Sequence, residues 1–295
     1  IGAQWTLGER LKSWSVGYTD PWISGSDYSL HLKAFTSSSD RDLYRSRDPE
    51  ARGRYDLERI GGHVGIGQPV GGNFRLVLKY SFEDVQVGGF QEPTVPTGGG
   101  LYAQEVGAAV GRKQVSSFGL DLYRRSIGRA WGSTPGTDAS LQASFSPKYL
   151  GSTANFLRLR TEIYRHISIL PGQILSVGGR AGTVLGSPPF YERLYLDGPN
   201  QLRGLERRKL GPEGGAQFAS AELLYSISLG GLGRLYSFVE GAGVRRPIDG
   251  TVRRDSDWTA GVGILLFNRV DISLGISTGT LIVKSHRFGG INVDL

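Results

Sequence analysis

The chain has 295 residues, 45 of them glycine and none of them cysteine, and a formal net charge of +7. Without cysteine it forms neither disulfides nor thiolate metal sites, and its four histidines (His31, His63, His166 and His286) lack metal-ligand spacing, so we expect no metal and no cofactor. The basic residues are dispersed and no apolar run reaches about 18 residues, which argues against a nucleic-acid partner and against a transmembrane helix.

Apolar and polar residues alternate along much of the chain. Val270, Ile272 and Leu274, for example, alternate with Asp271 and Ser273. A period of two predicts β-strands rather than helices. From the N-terminus, strands are predicted near residues 3–10, 12–22, 27–38, 54–68, 73–87, 102–113, 115–128, 138–147, 155–169, 172–185, 216–229, 233–245, 257–267, 269–278 and 286–295.

The lengths of the strands and of their connections indicate the architecture. Segments 54–68 and 155–169 exceed the ~10 residues that a tilted barrel strand needs to cross a bilayer. Short turns such as Pro69 to Gly72 alternate with long connections such as Gly88 to Gly100. A soluble antiparallel sandwich would also show alternating residues, but this alternation of turns and loops is typical of membrane barrels. We therefore predict an all-β fold, a transmembrane antiparallel up-and-down β-barrel that forms a single domain over residues 1–295.

The longest connection, from Pro188 to Gly215, reads PPFYERLYLDGPNQLRGLERRKLGPEGG. Its prolines, glycines and clustered charges exclude a strand interior and a stable helix. Loops of this length without secondary structure of their own are usually functional or disordered. The strand-like segments on both sides indicate that this loop is held in place.

Several motifs in and around this loop resemble those of the Omp85 superfamily, the outer-membrane assembly and translocation barrels. They are Pro189 to Tyr195, Leu202 to Leu205, Gly211–Pro212, Gly214–Gly215 and Ala221 to Leu223, with Tyr18 to Trp22 and Phe238 to Gly243 elsewhere. The resemblance covers nearly the whole chain. It implies a barrel of about 14 to 16 strands with the long loop folded into the lumen, and with the soluble POTRA domains of the family absent from this chain.

The resemblance also implies a role for the loop motif, which consists of Leu202, Arg203, Gly204 and Leu205. In the family the arginine of this motif is held by acidic and aromatic groups of the inner wall. The carboxylates at matching positions here are Glu240 and Glu222. An arginine in a partly desolvated lumen needs such a partner, and its planar fork suits bidentate pairing with a carboxylate.

Strand parity bears on which side chains face the lumen. Glu240 shares its parity with Tyr236 and Phe238, so simple alternation would point it outward, and we expect a local bulge or the following glycines to turn it inward.

Other charges are predicted to face the lumen, where they either line a conduction path or hydrate an interior that the loop plugs; we favour the second. These charges are Arg158, Arg160, Lys79, Glu83, Glu162 and Asp271.

The C-terminal residues Phe288, Gly290, Val293 and Leu295 fit the spacing of the family's C-terminal β-signal. The resemblance implies that the last strand meets the first at a weakly paired seam that opens sideways. An exposed strand edge is a template for the strand of another protein.

The function implied is that of an outer-membrane protein assembly or insertion factor (BamA-like) in the bacterial outer membrane. Its expected partners are outer-membrane lipids, unfolded β-barrel clients and accessory assembly subunits. The alternatives are an Omp85-type polypeptide translocation channel, for secretion or for plastid import in the outer envelope, and a passive diffusion porin. We expect no enzyme, because Gly275 to Gly279 matches G-x-S-x-G without the strand–turn–helix context that a nucleophile elbow needs.

Overall fold

A computed structural model of the chain describes residues 1–8, 11–42, 53–71, 73–91, 100–124, 135–196, 202, 214–248, 251–267, 270–277 and 280–287. These residues form one sheet of 14 strands, in which each strand lies antiparallel to its neighbours in sequence. The strands are β1 (Gly2–Leu7), β2 (Leu11–Asp20), β3 (Ser29–Asp42), β4 (Arg54–Pro69), β5 (Phe74–Gln91), β6 (Gly111–Arg124), β7 (Gly136–Ser146), β8 (Phe156–Leu170), β9 (Gln173–Gly186), β10 (Gln217–Ser228), β11 (Gly233–Ile248), β12 (Thr251–Leu266), β13 (Val270–Ser277) and β14 (Thr280–Arg287).

The two faces of this sheet, which forms the wall of the barrel, differ sharply in the solvent exposure of their side chains. On β11 the side chains of Tyr236, Phe238 and Glu240 are buried, whereas those of Leu235 and Val239 are about half exposed. The same contrast recurs along the sheet, where large apolar side chains alternate with buried or polar ones. Exposed apolar side chains include Ile60, Ile66, Leu78, Phe118, Ile163, Val177, Leu223, Trp258, Val262 and Ile276. An apolar outer face around a packed inner face is the arrangement of a transmembrane barrel, and the predicted fold class is confirmed.

One predicted strand is wrong. The segment predicted as strand 102–113 overlaps the helix α1 (Gly100–Ala108), and β6 begins only at Gly111. Val106 of this helix is fully buried, and Ala109, one residue after the helix, packs against the same core. The spacing of three residues between them is helical, and the local run of alanine, leucine, glutamine and glutamate favours a helix over a strand.

The last strand also differs from its prediction. The chain was expected to turn between residues 278 and 286, but β14 occupies Thr280–Arg287 and pairs with β13 from Thr280 onward. Residues 288–295 of the predicted final strand lie outside the described part of the chain. Within the described residues no pairing joins β14 to β1, so these two strands are the edges of the wall. No described helix is both long and apolar enough to cross a membrane.

Two inward-facing tyrosines lie across glycines of the neighbouring strand. A Cβ atom built on Gly178 would come within 2.6 Å of the Tyr164 ring, and one built on Gly263 would overlap the ring of Tyr236. Both glycines therefore leave the space in which a ring lies against the wall. From this position the Tyr236 hydroxyl donates a hydrogen bond to the carboxylate of Asp271.

Candidate functional site

The connection between β9 and β10, residues 187–216, is here called the lumen loop. Its first part packs into the interior of the barrel through Phe190, which is fully buried. The Phe190 ring stands perpendicular to those of Tyr55 and Tyr191, with centroid distances of 5.3 Å in both cases. Edge-to-face contacts of this kind stabilise by about 0.5–1.5 kcal/mol beyond the buried area.

The lumen loop belongs to a core that gathers inner-wall residues from many strands. The loop contributes Leu194, Leu196 and Leu202 beside its two aromatic residues, and α1 contributes Val106. The remaining members come from the wall and are Tyr55, Leu57, Val85, Val87, Val115, Phe156, Val184, Phe218, Ala242 and Val244. The predicted folding of the loop into the lumen is therefore what the structure shows for the described part of the loop.

An acidic residue of the loop sits at the centre of a buried ionic network. The side chain of Glu192 is only 4% exposed. It accepts a hydrogen bond of 2.8 Å from Arg59 Nη2 on β4 and another from Arg158 Nη2 on β8. We call these three residues the Glu192 clamp. Arg59 also pairs with Glu83 Oε2 on β5 at 3.1 Å, so the network reaches three strands of the wall.

The two arginines bind the loop backbone as well. Arg59 Nη2 donates to the carbonyl of Tyr191 at 2.6 Å, and Arg158 Nη2 donates to the carbonyl of Glu192. The Arg59 guanidinium also lies 5.8 Å from the centroid of the Tyr191 ring, within cation–π range. Each arginine thus binds both the carboxylate of Glu192 and a backbone carbonyl of the same turn.

Burial and charge act in opposite directions on the carboxyl group of Glu192. Burial by itself would raise the pKa of Glu192, but Arg59 and Arg158 together hold it below its ordinary value. The clamp therefore keeps Glu192 ionised inside the barrel. Burial raises the pKa of Tyr191 to about 12, and the charge of Glu192 adds to that rise.

The helix α1 is tied to the lumen loop by a second ion pair. Arg193 Nη2 lies 2.7 Å from Oε1 and 2.6 Å from Oε2 of Glu105. The loop is closed at its base by two backbone hydrogen bonds between Leu194 and Gly215, of 3.0 and 2.8 Å. The helix α1 and the described part of the lumen loop therefore pack against each other inside the wall.

Glu222 and Glu240, the predicted partners of Arg203, are brought together by the structure. They are direct cross-strand partners on β10 and β11. Glu240 is 4% exposed, and Glu222 accepts a hydrogen bond of 3.4 Å from the hydroxyl of Tyr164. Arg203 itself lies outside the described residues, so its pairing with these carboxylates stays a prediction.

The expectation of a bulge at Glu240 is wrong. β11 pairs with both of its neighbours in unbroken register from Arg234 to Arg245. The parity argument failed because it assigned Tyr236 and Phe238 to the outer face. Both aromatic side chains are 3% exposed and face inward, so Glu240 follows them into the lumen without any irregularity.

Other predicted site residues fall in segments that the structure does not describe. Of the loop motif, Leu202 is 5% exposed in the core described above. Arg203, Gly204 and Leu205 lie outside the described residues, and so does the C-terminal signal with Phe288, Gly290, Val293 and Leu295.

The predicted lumen charges are largely paired. Arg158 belongs to the Glu192 clamp and Glu83 pairs with Arg59. Lys79 Nζ lies 2.6 Å from Asp121 Oδ2, and Arg180 Nε lies 3.4 Å from Glu162 Oε2. Among the described residues, these pairs cross-link the inner wall, and the Glu192 clamp joins the loop to it.

The clamp was not predicted from the sequence. That reasoning placed a loop arginine against wall carboxylates, whereas the described contacts join a loop carboxylate to wall arginines. Two features of the sequence point toward the clamp: Glu192 lies within the family motif Pro189 to Tyr195, and Arg158 is one of the predicted lumen charges. Nothing local marks Arg59, which lies 133 residues from its partner Glu192.

The fold is similar to that of solved outer-membrane barrels. BamA from Haemophilus ducreyi lacking POTRA domains 1–3 matches with a TM-score of 0.72 and 16% sequence identity, over 96% of this chain and 62% of that chain. CdiB from Escherichia coli matches with a TM-score of 0.58 and 12% identity, over 95% of this chain and 52% of that chain. This chain thus spans 62% and 52% of the length of these two structures, with which it shares the fold.

Sequence comparison identifies the family. No curated protein matches the chain. The family model described as the Omp85 superfamily domain, however, matches residues 1–271, which is most of the chain. That match agrees with the motifs in the lumen loop and with the barrel itself. The chain is an outer-membrane β-barrel that belongs to the Omp85 superfamily.

Proposed function

We propose that this chain assembles or inserts other β-barrel proteins in a bacterial outer membrane, through the edge where its last strand faces its first. The observation that carries the proposal is that the lumen loop and α1 occupy the interior of the barrel. Phe190 and Glu192 of the lumen loop are buried against the wall, and Val106 of α1 is buried with them. No chemical reaction is part of this proposal.

An occupied interior argues for a route along the wall rather than through the centre. A polypeptide that crossed the lumen would have to displace the loop, which would leave Arg59 and Arg158 without the carboxylate of Glu192. Separating a buried ion pair in this way costs several kcal/mol. A passive diffusion porin would need the same space to be open.

The sheet edges offer the alternative route. Within the described residues β1 and β14 are not paired with each other, and the β1 side chains are exposed throughout. A strand edge presents unpaired backbone groups that a client strand can satisfy before it meets lipid. The proposed partners are therefore unfolded β-barrel clients and outer-membrane lipids, with accessory subunits that bring the clients.

Site-specific cross-linking tests the route, because the chain has no cysteine of its own. Gln4→Cys places a thiol on β1, and Ser226→Cys places one on the inner face of β10. The protein in liposomes is given a nascent barrel client with a cysteine in its final strand. We expect disulfides to Gln4→Cys and none to Ser226→Cys. Cross-links only at Ser226→Cys, with the client released across the membrane, would instead identify a translocation channel.

A further inference from the structure

A groove of about 690 Å³ lies on the outer face of the barrel, across strands β7 to β12. Its floor is a row of small residues that are paired from strand to strand, namely Thr161, Ala181, Ala219, Gly243 and Ser256. These positions alternate with inward-facing residues such as Phe218 and Val244, so their side chains point away from the lumen. The groove therefore opens toward the surrounding membrane.

The wall does not require the smallest of these residues. A Cβ atom at Gly243 would approach its nearest neighbour, the Asp255 carbonyl oxygen, to 3.6 Å, and one at Gly241 would come no closer than 3.9 Å. Both distances are ordinary contacts, and neither glycine has a positive φ angle. A side chain would fit at either position. Strand packing therefore does not require glycine there, although glycine at position 243 makes the groove deeper.

Two arginines stand directly above this floor. Arg245 and Arg254 are cross-strand partners on β11 and β12, and both are exposed on the outer face. Like charges directly opposite each other are destabilising. An anion bound between the two guanidinium groups would offset that repulsion. Gln217, the partner of Arg245 on β10, accepts a hydrogen bond of 3.1 Å from Arg245 Nη1 and so orients one guanidinium.

Arg245 and Arg254 both lie near the ends of their strands, and the rims of a membrane barrel are where lipid headgroups lie. Arg245 lies three residues before the end of β11 at Ile248, and Arg254 lies three residues after the start of β12 at Thr251. At about 3.4 Å per residue the pair lies roughly 10 Å from these ends, measured along the strands. Farther along β12, toward the middle of the wall, the apolar side chains of Trp258 and Val262 are exposed.

We propose that the groove binds a lipid with a phosphate headgroup. The phosphate lies between Arg245 and Arg254, whose planar forks match phosphate oxygens. One acyl chain lies over the floor at Ala219 and Gly243, where the missing side chains make room for it. A free phosphate would use only the arginines and would leave the apolar floor without a role.

Native mass spectrometry of the purified barrel tests this proposal with three probes: phosphatidylglycerol, diacylglycerol and inorganic phosphate. We expect phosphatidylglycerol to be retained in preference to diacylglycerol, and not to be displaced by excess inorganic phosphate. The double variant Arg245→Gln/Arg254→Gln should reduce retention of phosphatidylglycerol by about tenfold or more, because charged hydrogen bonds are lost. Gly243→Leu should reduce retention of both lipids because it fills the floor.

Arg165→Gln is the matched control, because Arg165 is an exposed outward arginine toward the other end of β8. We expect it to retain lipid like the unchanged protein. Equal retention in the arginine double variant, or displacement of the lipid by phosphate alone, would overturn the proposal. If the double variant does not fold, Arg254→Gln alone serves as the test, since that side chain is exposed.

Discussion

Glu222 on β10 and Glu240 on β11 lie directly opposite each other on the inner wall of the barrel. Two carboxylates in this position repel each other, and the repulsion is stronger where the surroundings are partly dry. Glu240 is buried and Glu222 half-buried, so the pair creates a site that favours a cation. This arrangement supports the hypothesis that Arg203 of the lumen loop is that cation.

The Arg203 hypothesis predicts a coupling between loop and wall. Arg203→Ala and Glu240→Gln should each lower barrel stability and assembly activity, and the double variant should lose less than the sum of the two. A coupling free energy of about 0.5–3 kcal/mol is expected for groups in contact, measured by urea unfolding in detergent. Strictly additive losses, or unchanged heat-modifiability and full client insertion for Arg203→Ala, would remove Arg203 from this role.

The Glu192 clamp predicts a large effect from a small substitution. Glu192→Gln keeps the shape of the side chain but leaves two wall arginines without their shared carboxylate. Breaking a buried pair in this way is expected to cost about 3–5 kcal/mol, measured as the shift in the urea unfolding midpoint. Glu162→Gln is the control, because its carboxylate is 46% exposed beside Arg180 and an exposed pair contributes at most about 1 kcal/mol. Equal losses in both variants would contradict a special role for the clamp.

The clamp also predicts a dependence of stability on pH. The pKa of Glu192 in the folded barrel lies below the ordinary value of 4.5, because the two arginines outweigh the effect of burial. Protonation therefore occurs first in the unfolded chain as the pH falls. The stabilisation from Glu192 should be complete above pH 4.5 and should be lost as the pH drops through the lower, folded-state pKa.

Unfolding midpoints measured from pH 7 downward, in the unchanged protein and in Glu192→Gln, check this dependence. The difference between the two proteins should be constant near neutral pH and should shrink at acid pH. A difference that stays constant down to about pH 2 would show that the charge of Glu192 is not what stabilises the loop.

The contact between Gly178 and Tyr164 predicts that an alanine is too large there. The added methyl group would overlap the Ile163 carbonyl oxygen and would come within 2.6 Å of the Tyr164 ring. The neighbouring strand and the ring would both have to shift, and the hydroxyl that binds Glu222 would move with the ring. Overpacking of this kind is expected to cost about 1–3 kcal/mol. Gly88→Ala on β5 is the control, because a Cβ atom there meets nothing within 4 Å. The prediction fails if both variants unfold at the same urea concentration.

Much of the wall could be predicted from the sequence because strand periodicity is a local property. The alternation around Val270, Ile272 and Leu274 gives β13 its exposed outer face, and those three side chains are on that face in the structure. The helix α1 was not predicted because a nine-residue helix has only about two and a half turns, which is too short for a clear helical period.

The site was harder to predict, because its contacts are made between distant parts of the chain. Parity correctly grouped Glu240 with Tyr236 and Phe238 but could not say which face of β11 is the inner one. Aromatic residues suit a lipid-facing surface and a packed lumen equally well. In the structure the described part of the lumen loop and α1 pack against the inner wall, and glycines of neighbouring strands leave room there for aromatic rings.

The clamp has a consequence for the order in which the barrel forms. Glu192 is 133 residues from Arg59 but only 34 from Arg158, and the two arginines lie on strands separated by three others. Closing a loop of that length costs conformational entropy before any contact across the loop has formed. Contact between Glu192 and Arg59 is therefore favourable only after the intervening strands have paired. The turn at Glu192 can therefore bind both arginines only after β4 and β8 have reached their final separation, so its docking is expected late in the formation of the wall.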